Sequence, residues 1–326
     1  MKKVPFLLTP AAKDYLWGGS RLNDDFNLGI PIAPFAEAWV CSTHPDGTST
    51  LSSTGQPLST VLKEKPEYLG THALSTTGGK PELPILIKLI DAKSDLSVQV
   101  HPDDEYARRY EDQWGKTEMW YVLGARKNSE LIYGFNRDTD PAEVRERISA
   151  GSIGDILNHV PVHKDDVFYI ESGMVHAIGA GCLIAEIQQS SNLTYRLHDY
   201  DRVDKHGQKR ELHIEKALDV AKLSSSAVPR QPLRVLKYRP GHASELLTRC
   251  RYFQVERLLL NTENRKLADF QTQSNSFHAL LCVDGCGVLF GEKVMLNFFK
   301  GDCIFVPADS IPLQLHGKAQ LLDVSC

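Results

Sequence analysis

Four residues carry the chemistry this chain offers most clearly. They are Gln99 and His101 in Ser97-Val98-Gln99-Val100-His101-Pro102, Glu118, and His176 in Glu171-Ser172-Gly173-Met174-Val175-His176. Together they supply one amide oxygen, two imidazoles and one carboxylate, the donor count of a tetrahedral divalent ion. None is a cysteine, and a mixed nitrogen and oxygen set suits an ion that works on a substrate rather than one that staples a fold. Side chains alternate along a strand, so Ser97, Gln99 and His101 face one way and Val98 and Val100 the other. Glu118, Trp120 and Val122 share a face by the same rule, which sets the carboxylate beside bulk that excludes water. His176 follows a turn at Gly173 that can present its ring into a cavity.

Other polar residues interrupt apolar runs. Lys88 lies within Ile85-Leu86-Ile87-Lys88-Leu89-Ile90, and a buried lysine needs a partner. Lys116 precedes Glu118 by two positions and shares its side. Glu186 and Arg196 sit in Leu183-Ile184-Ala185-Glu186-Ile187 and Leu193-Thr194-Tyr195-Arg196-Leu197. Each alone reads as a solvated strand face. Several near one ion read as a lined pocket, because opposite charges offset one another's desolvation. The chain has 12 histidines, and spacing alone leaves His44, His72, His159, His163 and His198 open as alternative ligands.

The elements that must position these residues are mostly strands. Short apolar or alternating runs at 84–90, 96–101, 119–123, 167–170, 183–187, 253–260, 279–283 and 304–306 are separated by turn residues, which predicts closed or sandwiched sheets. One helix is expected from Asp140-Pro141-Ala142-Glu143, with Asp140 as cap, Pro141 in the first turn and Glu143 completing a capping box. Another is expected over 214–223, where Ile214, Leu218 and Ala221 form one stripe, and a helical turn at Asp103-Asp104-Glu105. The polar, proline-bearing stretch 224–233 reads as a linker, dividing a metal-binding domain at 1–223 from a second domain at 234–326. Residues 164–176 also echo 300–312: the strand residues fall in register, Asp166 with Asp302, and Pro312 stands where the first copy has His176. Proline has no donor atom for a metal, so only the first domain is expected to hold one.

The bulk composition bounds the rest. With 326 residues, two domains are the natural expectation. A hydrophobic share of 42% and a charged share of 24% describe an ordinary globular chain with a substantial core. The net charge of -4 gives no general attraction to nucleic acid or an anionic membrane, while leaving room for a local phosphate site. The basic start has only a broken apolar run, too short for a signal peptide, and no stretch reaches membrane-spanning length. Seven scattered cysteines suggest a reducing compartment, and the cytoplasm is the expected location.

The run from Leu83-Pro84-Ile85-Leu86-Ile87-Lys88 through Ser97-Val98-Gln99-Val100-His101-Pro102-Asp103-Asp104, then Lys116-Thr117-Glu118-Met119-Trp120-Tyr121 and Gly173-Met174-Val175-His176-Ala177, closely resembles the type I mannose-6-phosphate isomerases in their short bacterial form. Tyr15-Leu16-Trp17-Gly18-Gly19 and the stretch from Glu186 to Arg196 extend the likeness over most of the first domain. It thins after the linker. The resemblance implies a mainly β, double cupin fold with a small helical insertion in the first half. It implies one zinc per chain bound by Gln99, His101, Glu118 and His176, and interconversion of mannose 6-phosphate and fructose 6-phosphate through an enediol. Arg196 is then expected to stabilise the enediolate, with Glu186, Lys116 and, ranked last, His101 for proton handling. Lys88 and Ser97 are expected at the phosphate end, and Trp17 as a wall of the pocket. The second domain is expected to shape the cleft without binding metal.

Two rival readings use the same residues. An iron-dependent cupin oxygenase would also use two histidines and a carboxylate, though Gln99 and the lysines argue against it. A non-catalytic sugar-binding cupin would not need Lys88, Glu186 and Arg196 to converge on the metal. A sugar phosphate is the expected partner; nucleic acid and membrane are not, and the sequence leaves the oligomeric state open.

Overall fold

A computed structural model describes residues 3–26, 28–203, 207–227, 229, 231, 234–263 and 266–326. Its strands pair into three antiparallel sheets. In the first half, one sheet runs Val167–Ile170, Glu118–Ala125, Cys182–Gln189, Ile85–Asp91, Glu37–Cys41, Ala11–Lys13. A second runs Tyr195–His198, Val98–Val100, His176–Ile178, Glu130–Phe135, Leu157–Pro161. Alternation gives each sheet two different faces. Between the sheets Ile90, Trp120, Val122 and Phe168 of the first meet Leu131, Val160 and Ile178 of the second. On the outer face of the five-stranded sheet, Val98, Val100, Tyr195 and Leu197 pack under the helices Pro141–Ser149 and Ile214–Val220.

The third sheet has ten strands and wraps a separate apolar interior that includes Leu258, Leu280, Phe298, Ile304 and Leu321. Its strands come from the second half, with two exceptions. Phe6–Thr9 pairs with Cys303–Val306, and Thr50–Leu51 pairs with Phe6–Thr9. The outer face of the six-stranded sheet, with Ile87, Leu89, Met119 and Tyr121, packs in one cluster with Phe253, Phe277, Phe305 and Leu322. The mainly β, double cupin expectation is borne out. Among the described residues no helix is long and apolar enough to cross a membrane.

The internal echo extends to backbone geometry. Asp165 and Gly301 hold equivalent positive-φ turn positions (75° and 102°), and so do Asp309 and Gly173 (57° and 85°). In each copy the aspartate after the first turn accepts a hydrogen bond from the backbone three residues earlier, Asp166 from His163 and Asp302 from Phe299, both at 2.8 Å. The same strand entry is therefore built twice, once ending at His176 and once at Pro312.

Asp140 caps its helix, accepting from the backbone of Ala142 and Glu143. Glu143 does not complete the capping box. It binds Arg137 and Thr139 instead, and this competing ion pair decides its direction. The helix at 214 ends at Val220, because Ala221 is extended (ψ 134°). The turn at Asp103 grows into a full helix, Asp104–Glu111. The short helices Leu58–Glu64 and Thr71–Thr76 were not foreseen. Of the expected linker, residues 228, 230, 232 and 233 lie outside the described residues.

Phe305 is fully buried between Phe6 and Phe277, each ring centroid 5.2 Å away and nearly parallel. Phe305→Ala should lower stability by about 3–5 kcal/mol in denaturant unfolding. Because its cluster spans both halves, near-UV and far-UV signals should shift to the same lower midpoint. A variant that loses less than about 1 kcal/mol would contradict this packing.

Candidate metal centre and active site

The two facing sheets each contribute one lateral row to the space between them. On the five-stranded sheet, His176 pairs with Gln99 and Gln99 with Arg196. On the six-stranded sheet, Trp39 pairs with Lys88, Lys88 with Glu186, and Glu186 with Trp120. Residues directly opposite on adjacent strands share a face. Register alone thus gathers residues that lie far apart in sequence. His101 extends the row of Ser97 and Gln99, while Glu118 begins the strand that carries Trp120.

His101, Glu118 and His176 are fully buried, and their donor atoms all lie within 4.8 Å of one another. The Nε2 atoms of the two histidines are 3.2 Å apart. Each Nδ1–H donates to a backbone carbonyl at 2.8 Å, His101 to Leu193 and His176 to Met174. This tautomer turns both Nε2 lone pairs toward the same point. Glu118 faces that point too, with Oε1 3.3 Å from His176 Nε2 and Oε2 3.6 Å from His101 Nε2. Donors held 2.0–2.1 Å from a tetrahedral ion lie roughly 3.4 Å apart, so these separations match the edges of such a site. Glu118 Oε1 is buried and has no hydrogen-bond donor. The three residues fit a divalent metal.

Electrostatics lead to the same conclusion. Burial, then Lys116, pulls His176 down to about 3, and burial with Lys116 holds His101 well below its ordinary value. Both rings are neutral and free to donate. Burial pushes Glu118 up to about 7, against the opposing pull of Lys116. Lys116 Nζ donates to Glu118 Oε2 at 2.7 Å and to His101 Nε2 at 2.9 Å. Gln99 reaches the cluster through its amide, with Nε2 3.5 Å from His176 Nε2, while its Oε1 accepts from Ser97 at 3.2 Å.

Beside the cluster opens a cavity of about 220 Å³. Seven of the residues singled out from sequence line it: Trp17, Lys88, Ser97, Gln99, Lys116, Glu186 and Arg196. Lys88 Nζ stands 3.0 Å from Glu186 Oε1 and 3.7 Å from Glu37 Oε2. Burial opposes the lysine's charge, but the two carboxylates outweigh it and raise its pKa. Burial likewise opposes the charge on Glu186, and Lys88 with Lys116 overcomes it, holding the carboxyl at about 2. Trp120 Nε1 donates to the other oxygen of Glu186 at 3.0 Å. Arg196 is half-buried, its Nε lacks an acceptor, and burial and then Arg210 depress its pKa.

The five histidines left open as alternative ligands lie outside this cluster. His159 binds Glu130, His44 sits beside Asp46, His198 packs on Tyr200, and His72 and His163 are exposed. Among the described residues no second His, Cys, Asp or Glu group of this kind occurs. Sequence reasoning missed Glu37 and Arg210, both on the cavity wall. Glu37 had a readable signal, since it shares a strand face with Trp39, whose Nε1 donates to its carboxylate at 2.6 Å. Arg210 had none. It is fixed by Asp199, which also holds Arg202.

Comparison with known proteins adds the family. Residues 6–129 match the phosphomannose isomerase type I catalytic domain, and residues 243–326 match the mannose-6-phosphate isomerase cupin domain. Mannose-6-phosphate isomerase ManA of Bacillus subtilis (strain 168) is 35% identical over 323 residues, covering 99% of both chains. The probable mannose-6-phosphate isomerase GmuF of the same organism is 43% identical over 220 residues, which is 66% of this chain and 68% of that one. The crystal structure of a mannose 6-phosphate isomerase from Bacillus subtilis superposes with a TM-score of 0.88 at 33% identity, covering 99% of this chain and 100% of that one.

Metal binding at this centre should depend on pH through Glu118. Below about 7 its carboxyl is protonated in the metal-free protein, and the ion must displace that proton. Affinity should therefore fall about tenfold per unit as pH drops below 7, and level off above it. Titration calorimetry of chelated protein with zinc, in buffers of different ionisation enthalpy, reads the proton release. His176→Ala should remove the bound ion, and full occupancy in that variant would contradict the assignment.

Proposed function

The chain belongs to the type I mannose-6-phosphate isomerases, and on that premise we propose that it interconverts D-mannose 6-phosphate and D-fructose 6-phosphate through an enediol at a zinc site. The observation that carries this reading is the adjacency of the His101–Glu118–His176 cluster to a small cavity walled by Lys88, Lys116, Glu186 and Arg196. A sugar-binding module would have no use for so many desolvated charges around a metal centre. The cytoplasm suits the seven free cysteines.

In this reading zinc is held by Gln99, His101, Glu118 and His176, and when bound it supplies Lewis-acid polarisation of substrate oxygens. Gln99 joins with its amide oxygen once the two similar ends of the amide are exchanged. Its Nε2 then donates to Ser97, whose own hydroxyl proton is freed for the substrate.

The sugar opens, loses a proton from C2 and regains one at C1. Glu186 carries that proton: it is ionised across the working pH range and aimed by Lys88 and Trp120. Its low proton affinity costs driving force. Lys116 exchanges protons with O1 and O2, being the ammonium nearest the cluster. His101 has both ring nitrogens committed, one to Leu193 and one to the cluster. Arg196 faces the negative charge that develops on the enediolate. Lys88 is matched by two carboxylates, so it serves Glu186 more than a phosphate. The phosphate end then falls to Arg210, whose Nε and Nη2 are fixed on Asp199, with Ser97 as a hydroxyl donor. Trp17, buried beside Tyr15, walls the pocket.

A coupled assay with native, chelated and zinc-restored protein tests the reading, and normal turnover after verified metal removal would overturn it. Arg196→Ala should cut kcat/KM by about 10²–10³ while leaving zinc content unchanged. Turnover in deuterium oxide labels the transferred hydrogen. Glu186→Gln should abolish that label in product, whereas retained labelling would assign the C2 proton to another residue. Oxygen-dependent turnover with bound iron would instead favour the oxygenase.

A further inference from the structure

Away from the centre, a cavity of about 490 Å³ lies where the helices Thr71–Thr76 and Asp104–Glu111 and the Trp114 segment meet Arg251 and Tyr252 of the second half. This volume is in the range of small-molecule sites. Its lining charges are unbalanced. The lining carboxylate, Asp104, is already used: Oδ1 accepts from Gly115 N at 3.0 Å and Gln189 Nε2 at 2.9 Å, and Oδ2 accepts from Tyr252 at 3.0 Å. Arg108 and Arg251 have no carboxylate partner among the described residues, and the His72 ring lies on the same wall. The Arg108 guanidinium instead lies over the Trp114 ring at 4.3 Å, and that of Arg251 is 5.9 Å from the centre of the Tyr252 ring.

We propose that this cavity is a nucleotide site, taking the di- or triphosphate between Arg108 and Arg251 and the base against Trp114 or Tyr252. Guanidinium edges recognise phosphate oxygens in pairs, and stacking on a ring leaves those edges free. Aromatic faces supply a planar platform that a simple sugar phosphate would not use. The wall also leads to the catalytic strand. Gln189 is buried, and while its Nε2 holds Asp104, its Oε1 accepts the N–H of Thr117 at 2.8 Å. Thr117 lies between Lys116 and Glu118. An occupant that tightens this wall therefore bears on the backbone that carries both residues. That regulatory consequence, though not the binding itself, rests on the isomerase reading.

Equilibrium dialysis of the zinc-loaded, full-length protein against ADP, GDP and inorganic pyrophosphate tests the site, with saturating mannose 6-phosphate present to block the catalytic cavity. One nucleotide per chain should bind, and Arg251→Ala or Arg108→Ala should weaken it about tenfold or more. Pyrophosphate should bind less tightly, having no ring to stack. No nucleotide binding, unchanged binding in both variants, or pyrophosphate bound as tightly as ADP would each overturn the proposal. In parallel, nucleotide should shift KM or kcat of the wild type, and Arg251→Ala should keep its basal rate and lose the shift. Binding without any kinetic shift would reject the coupling and leave the site standing. Absence of isomerase turnover would reject the functional reading without touching the dialysis result.

Discussion

Two neutral imidazoles with their Nε2 lone pairs turned on each other, 3.2 Å apart and out of water, repel unless a positive charge lies between them. Neither ring can rotate away, since each is tethered by its other nitrogen to a main-chain carbonyl. Such tethers fix both the tautomer and the orientation of a ligating ring. The opposition is therefore built into the backbone. Glu118 adds an anion to the same spot, and Lys116 is the cation that the chain itself supplies. Much of the first half can be understood as the scaffold needed to hold these groups against their own electrostatics.

That scaffold works through register. Neighbouring strands put Trp39, Lys88, Glu186 and Trp120 in one line across one sheet, and His176, Gln99 and Arg196 in another line across the facing sheet. A slip of one residue in any of these strands would turn its polar member out of the site and an aliphatic one in. The apolar outer faces guard against such a slip. Ile87 and Leu89 are anchored in the core shared with the second half, and Val98 and Val100 under the helices. The hydrophobic packing outside the site thereby sets the chemistry inside it. The charges in turn are tolerable only as a group, because Lys88 buried without Glu186 and Glu37 would be strongly destabilising.

How much of this was legible beforehand follows from the kind of signal each part leaves. Alternation in Ser97–His101 and in the Glu118 run is local, and it correctly gave the facing of Gln99, His101, Glu118 and Trp120. The charged interruptions Lys88, Glu186 and Arg196 stood out because a charge is anomalous inside an apolar run, and all three line the cavity. The echo between 164–176 and 300–312 was readable because both copies need the same turn. Arg210 was invisible, since its place is set by Asp199 and not by any periodic pattern. The direction of Glu143 was misjudged for a similar reason: Arg137 competes for the carboxylate, and a capping-box pattern does not show such a rival. Likewise, no local pattern says that Phe6–Thr9 belongs to a sheet made mostly from the second half.

This last pairing bears on how the molecule is made. Phe6 lies opposite Phe305, so this strand meets that neighbour only after the long segment between them has been made, although Thr50–Leu51 on its other edge is available early. Until then the edge that will meet Cys303–Val306 is left open, the circumstance in which nascent chains aggregate or recruit chaperones. Closing so long a loop is also slow, since the entropy is lost before any contact rewards it. The sheets that build the metal centre can assemble from residues already synthesised. The core that braces them from outside is finished last.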